Sequence, residues 1–182
     1  MALVYDDDLP NVYTEEGTEW WNLSGFDGYT IHKSGNIHDT QKGRQVAQQW
    51  ANNGFQVNLR SSRGARGYTT ARVASLVAQI FVPRPDFQAD TVIFLDGDRR
   101  NHHASNLMWR SRSYAIRYHR QITDPEGQYH LSAPYVDEYG IVYSSCLDAA
   151  IANGLLPTEV RRSAMNNEPV LLTSQQFWMA PE

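Results

Sequence analysis

Val92-Ile-Phe-Leu-Asp-Gly-Asp98 runs on to Asn101 and then to Asn106-Leu-Met-Trp109. Thr91 to Leu95 is a short β-rich run, and Asp96-Gly97-Asp98 has the side chains and backbone freedom of a turn. Ser111 to His119 is predicted to follow as a helix. Across 99–120 the chain carries six arginines (Arg99, Arg100, Arg110, Arg112, Arg117, Arg120) and no acidic residue.

Upstream, the chain is β-like from Glu19, with Trp20-Trp21, a Gly25/Gly28 turn, Tyr29-Thr-Ile31, Ser34-Gly35 and Asn36-Ile-His38. Residues 40–53 are polar and ambiguous. Phe55-Gln-Val-Asn-Leu59 alternates apolar and polar, as a half-buried strand does. Ala71 to Ile80 then changes period, placing Val73, Leu76, Val77 and Ile80 on one helical face before Pro83 and Pro85 end it. Downstream, Val142-Tyr143 reads as a strand after the Gly140 turn. Ser145 with Asp148 resembles a capping box opening a helix that Asn153-Gly154 stops. Pro157 suits the first turn of a second helix through Ala164, and Gln176-Phe-Trp178 reads as a closing strand. The fold class expected is α+β.

The chain has 182 residues, 41% of them apolar, enough to bury a real core as one domain or two small ones. It has no apolar run of the ~18 residues a membrane span needs. The acidic start Met1 to Asp8 lacks the features of a secretory signal, and the lone Cys146 excludes an internal disulfide. The net charge of -4 is uneven: 1–29 carry -7, 30–120 carry +9 and 121–182 carry -6. A basic, arginine-rich middle is the footprint of a surface that meets phosphates.

Residues 88–120, with Asp96, Gly97, Asp98, Asn101, Asn106, Leu107 and Trp109, resemble the nuclease motif of HNH homing endonucleases. Residues 19–83 are similar to the DNA-binding module that precedes that motif. The matching pieces are Glu19-Trp20, Gly25-Phe26, Gly28-Tyr29, Ser34-Gly35-Asn36-Ile37, Gly54 to Leu59 and Val73 to Phe81 with Pro83. Residues 134–178 resemble a small helix-turn-helix module of the same nucleases, through Pro134-Tyr-Val, Gly140, Tyr143, Ser145, Ala149-Ala150, Gly154-Leu155, Val160, Asn166 and Phe177-Trp178. The implied organisation is an acidic lead (1–18), a β-rich module plus an HNH-like ββα unit (19–120), a linker (121–133) and a helix-turn-helix-like module (134–182).

The resemblance implies a divalent ion that holds the scissile phosphate and a histidine that activates water. Its first metal ligand falls at Ile93, its general base at Phe94 and its second ligand near Ala115, and none of these side chains can coordinate Mg²⁺ or accept a proton. The motif therefore keeps a framework (Asp96, Gly97, Asn101, Asn106, Trp109) around a degenerate centre. No cofactor is expected; Mg²⁺ or Mn²⁺ enters only if His102, His103 or His119 restores a metal site.

Double-stranded DNA is the expected partner. Arg60, Arg63, Arg66 and Arg72 of the first module and Arg99, Arg100, Arg110 and Arg112 of the ββα unit would contact it. Thr158, Glu159, Arg161 and Arg162 of the second C-terminal helix would enter a major groove. Trp20, Trp21, Tyr29, Trp109 and Trp178 are expected in the core. The acidic flanks leave a second reading open, a virion or other protein-interaction subunit docking phage or host proteins through its termini. A still-active nuclease is a third. The resemblance implies a phage origin, with the host cytoplasm or the virion as location and no membrane partner.

Overall fold

The computed structural model describes residues 12–13, 19–61, 67–85, 88–123, 133–171 and 173–180. Its small antiparallel sheets and helices make an α+β protein, as expected. The chain divides into two compact units, 1–94 with 98–109, and 95–97 with 110–182.

The first unit opens with a five-stranded antiparallel meander: β1 (Val12–Tyr13), β2 (Glu19–Asn22), β3 (Tyr29–His32), β4 (Ile37–Asp39) and β5 (Arg44–Gln45). Part of the expected acidic lead is thus a strand, with Val12 opposite Trp20. The polar 40–53 stretch also yields β6 (Gln49–Trp50), which pairs with β7 (Phe55–Arg60), itself paired with β8 (Tyr68–Arg72). Ala71 ends β8 instead of starting the helix; α1 spans Val73–Phe81 and buries Val73, Ala74, Leu76, Val77 and Ala78.

Helix α1 packs on β7, β8 and β9 (Thr91–Phe94), and a 3₁₀ turn at Ala104–Asn106 leads into β10 (Leu107–Arg110), the partner of β9. One core joins these elements: Ile31, Ile37, Val57, Leu59, Val73, Val77, Phe94, Leu107 and Trp109. Gly35 is required there, because at φ +89° a Cβ would sit 2.9 Å from that of His102.

The second unit holds α2 (Arg112–Thr123), α3 (Cys146–Ala152), α4 (Pro157–Asn166) and a three-stranded sheet of β11 (Tyr135–Asp137), β12 (Val142–Tyr143) and β13 (Phe177–Met179). Its core is Tyr135, Cys146, Ala149, Ala150, Leu155, Val160, Val170 and Phe177. Half of the expected capping box forms: Ser145 Oγ accepts from the Asp148 N–H at 3.0 Å, but the Asp148 carboxylate takes the Ser145 hydroxyl at 2.8 Å; Asn153 and Gly154 end α3 as read. Pro157 takes the first position of α4.

Helix α2 falls in this unit, although the sequence reading joined 111–119 to the preceding strands and ran a linker from 121. Its buried polar side chains explain the grouping. The Tyr114 hydroxyl lies 3.2 Å from the Gly154 carbonyl, and Gln121 donates to that of Leu155 at 3.0 Å. The Tyr118 hydroxyl lies 2.9 Å from the Leu95 carbonyl and 3.0 Å from that of Ile151. The Gly154 and Leu155 carbonyls that accept here lie in the turn that follows α3. Among the described residues no helix is long and apolar enough to cross a membrane.

Candidate nucleic-acid interface

The three degenerate positions are all inside. Ile93 is 0% exposed, Phe94 9% and Ala115 4%. Phe94 belongs to the core of the first unit, with Leu107 and Trp109. The framework residues brace the surrounding backbone. Asn106 Nδ2 donates to the Asn101 carbonyl at 2.9 Å, and Asp98 accepts from the Arg100 N–H at 2.9 Å. Trp109 Nε1 lies 3.1 Å from the Ala78 carbonyl and 3.2 Å from that of Val82. Gly97 holds φ +75°, where a Cβ would meet Ile122 at 2.8 Å. Asp96 and Asp98 thus occupy a built turn.

A divalent cation does not fit these residues. Isoleucine, phenylalanine and alanine offer no oxygen or nitrogen donor. Of the possible replacements, His102 is only 6% exposed and lies edge-on to Phe55 and Phe94, at ring distances of 5.2 and 6.2 Å. Burial lowers its pKa from the usual histidine value, outweighing a bond to the Arg99 backbone and the charge of Asp98, and its Nε2 has no hydrogen-bond partner. His103 Nδ1 accepts from the Ser105 N–H at 3.3 Å, which caps the 3₁₀ turn. His119 lies beside Tyr118 on α2, at 6.2 Å between rings. Among the described residues no three His, Cys, Asp or Glu side chains cluster to hold a metal.

The surface of the first unit offers different chemistry. Period-two alternation along β7 sends Val57 and Leu59 inward and Gln56, Asn58 and Arg60 outward. On β8, Arg72, Thr70 and Tyr68 stand opposite those three residues in turn, and Gln49 of β6 stands opposite Gln56. The outer face is therefore a lattice of amide, hydroxyl and guanidinium groups. Thr70 donates to Asn58 at 2.6 Å, and Arg60 Nη2 reaches Gln41 Oε1 at 2.8 Å. This face walls one side of a polar groove of about 440 Å³ that also takes in Asp39, Lys42 and Arg44. Burial works to raise the Asp39 carboxyl, but the Lys42 and Gln41 amides and the Lys42 ammonium, 3.5 Å away, hold it below the usual aspartate range.

The expected DNA-contacting residues separate by burial. Arg60, Arg72, Arg100, Arg112, Thr158, Arg161 and Arg162 are exposed, and Arg99 is half-buried. Arg63 and Arg66 lie outside the described residues, as do 1–11 and 181–182 at the two ends of the chain. Arg110 is a correction: it is 7% exposed, its Nη2 lies 3.3 Å from the Gly154 carbonyl, and its guanidinium sits over the Tyr114 ring. Glu159 is another. Its Oε2 accepts from the Leu156 N–H at 2.9 Å and from the Tyr114 hydroxyl at 2.6 Å, so it caps α4 from within the protein.

Trp109 and Tyr29 are buried as expected, and Trp20 and Trp21 are partly buried. Trp178 is instead exposed, its Nε1 donating to Asn167 at 2.9 Å. Residues the sequence reading passed over are Trp50, Gln49, Gln56, Asn58, Tyr68 and Thr70. The polar positions of Phe55-Gln-Val-Asn-Leu-Arg60 were a signal for part of this face, and Asn52-Asn53 was a hairpin signal for Trp50.

No protein-family model matches the chain. It is 23% identical over 156 residues to an uncharacterised HNH endonuclease of Acanthamoeba polyphaga mimivirus, covering 81% of this chain and 44% of that relative's length. A solved structure titled "DNA binding and cleavage by the HNH homing endonuclease I-HmuI" covers 90% of this chain and 99% of its own, with 19% identity and a TM-score of 0.49.

Proposed function

We propose that this chain, a relative of the HNH endonucleases, binds double-stranded DNA without cutting it. The observation that carries the reading is that the side chains where the resemblance puts two ligands and a base are hydrocarbon, Ile93 and Phe94 buried in the first unit and Ala115 in the second, while Asn106 and Trp109 still make their bonds within the first unit. A water needs a base and a scissile phosphate needs a cation, and neither can be served there. The binding half of the reading is supported by the polar face of β6–β8, with Arg60 and Arg72 at its corners, and by Arg161 and Arg162 on α4. Asn and Gln side chains on a strand pair are suited to base edges, and arginines to phosphates. A viral source and a working state without Mg²⁺ or Mn²⁺ belong to the same proposal.

The test pairs a salt titration of duplex binding with plasmid nicking in Mg²⁺ and in Mn²⁺. Affinity that falls steeply with salt, and plasmid that stays supercoiled, are expected. Nicking that vanished on His102→Asn or His103→Ala would overturn the non-cutting half, and no binding at low salt would overturn the other.

One feature favours a second reading, a protein-interaction subunit. Val142, Val136 and Trp178 form a cross-strand row on the β11–β13 sheet, with Val142 and Trp178 exposed. Val142→Asp that abolished capture of virion or host proteins while sparing DNA binding would support it.

A further inference from the structure

We infer that the tip of the β6–β7 hairpin is a wedge, with the Trp50 indole stacking on a base step of bound duplex and Arg99 and Arg100 holding the flanking phosphates. This rests on the DNA-binding reading above and names a contact residue that neither the motif nor the degenerate centre supplies.

Trp50 is 47% exposed although it lies on a paired strand. The tip that presents it is closed by backbone hydrogen bonds. Ala51 and Gly54 exchange both backbone hydrogen bonds, at 3.0 and 3.2 Å, across two asparagines. Asn52 at φ 51° and Asn53 at φ 58° are both left-handed, the geometry of a two-residue hairpin turn whose twist matches its strands. Behind the indole, Phe55 stands edge-on at 5.2 Å, and Phe55 is in turn backed by buried His102 at 5.2 Å. The ring has aromatic support from Phe55 and still leaves nearly half its surface exposed.

The turn after β9 brings charge to this ring. The Arg100 guanidinium lies 5.5 Å from the Trp50 ring centre, and Arg99 Nη1 lies 3.5 Å from the Asn53 carbonyl. The Asp98 carboxylate accepts from the Arg100 N–H and fixes the loop that aims them. An exposed indole with one guanidinium over its ring and a second at the hairpin tip complements an apolar base face flanked by phosphates. Apolar side chains inserted at base steps unstack and kink duplexes, and base–aromatic stacking tolerates many sequences. A protein partner over the same ring would have to desolvate two arginines and supply carboxylates for both.

The experiment uses the full chain and a duplex carrying 2-aminopurine at successive positions, with affinity read across a salt series. For Trp50→Ala, binding weakens by about tenfold to a hundredfold, the slope of log affinity on log salt is unchanged, and the fluorescence rise at the wedged position is lost. For Arg100→Ala the slope falls by about one. Should Trp50→Ala fold poorly, Trp50→Phe and Trp50→Gln decide: phenylalanine retains the fluorescence rise and glutamine loses it. Trp50→Ala that binds and unstacks as the parent does overturns the wedge and leaves DNA binding standing. A parent chain that binds no duplex at low salt overturns both.

Discussion

Replacing Glu159 by alanine separates a carboxylate that reads DNA from one that holds the protein together. The change removes two hydrogen bonds to one oxygen, from the Leu156 N–H at 2.9 Å and from the Tyr114 hydroxyl at 2.6 Å. Leu156, at the start of α4, has no side-chain acceptor, so Glu159 supplies the only side-chain half of that cap. Losing a cap costs about 0.5–2 kcal/mol, and a hydrogen bond to a charged group is worth about 1.5–3 kcal/mol. The two do not add in full, because they share an atom and the Gly154 carbonyl, 3.2 Å from the Tyr114 hydroxyl, can take the proton that Glu159 gives up. Tyr114 stays a donor at any working pH, since burial first and Glu159 second push its phenol far above the usual range.

The expected loss is about 2–3 kcal/mol, or roughly 5–10 °C in melting temperature for a chain of this size. Far-UV circular dichroism is the assay, because three of the four α-helices among the described residues, α2, α3 and α4, lie in the second unit. Glu159→Gln, which keeps an acceptor at the cap, falls between the parent and the alanine variant. DNA affinity measured well below the melting transition stays within about twofold of the parent, since the lost bonds are internal. A melting temperature within about 1 °C of the parent, together with collapsed DNA affinity, would refute the reasoning and return Glu159 to the DNA.

His102 gives a pH dependence with a definite sign. Its folded pKa lies below the ordinary histidine value of 6.5, chiefly through burial, so below that pH the unfolded chain takes up the proton more readily. Stability is therefore full above about pH 6.5 and falls as the medium is acidified towards the folded pKa; His102→Gln should shrink the drop in melting temperature between about pH 7.5 and about pH 5. His32, lowered in the same direction by burial, leaves a residue of the effect. Among the arginines, Arg60→Ala and Arg72→Ala should each lower the salt slope of DNA binding by about one. Arg110→Ala should leave that slope alone and cost about 1–3 kcal/mol of stability, as urea denaturation would record.

Hydrophobic period and turn chemistry were enough to place most elements. The alternation of 55–59, the apolar face of 73–80, the Ser145 cap and the Pro157 start are all signals that neighbouring residues carry within a turn or two, and the structure forms each of them. The loss of donors at Ile93, Phe94 and Ala115 was equally plain in the letters, because no packing can give a hydrocarbon a lone pair. Tertiary structure decided what each side chain of the C-terminal helices does. Arg110 and Arg112 are alike in sequence, but only Arg110 meets the Gly154 carbonyl, more than forty residues along the chain. Glu159 and Thr158 are adjacent on α4, but a buried tyrosine from α2 meets only Glu159. Trp50 belongs to a two-residue strand too short to announce itself, and the pairing that exposes it depends on β7 and on the turn after β9. Local sequence fixes which residues share a face; what that face meets is set by distant segments, whose open carbonyls, charges and rings exist only once the chain has folded.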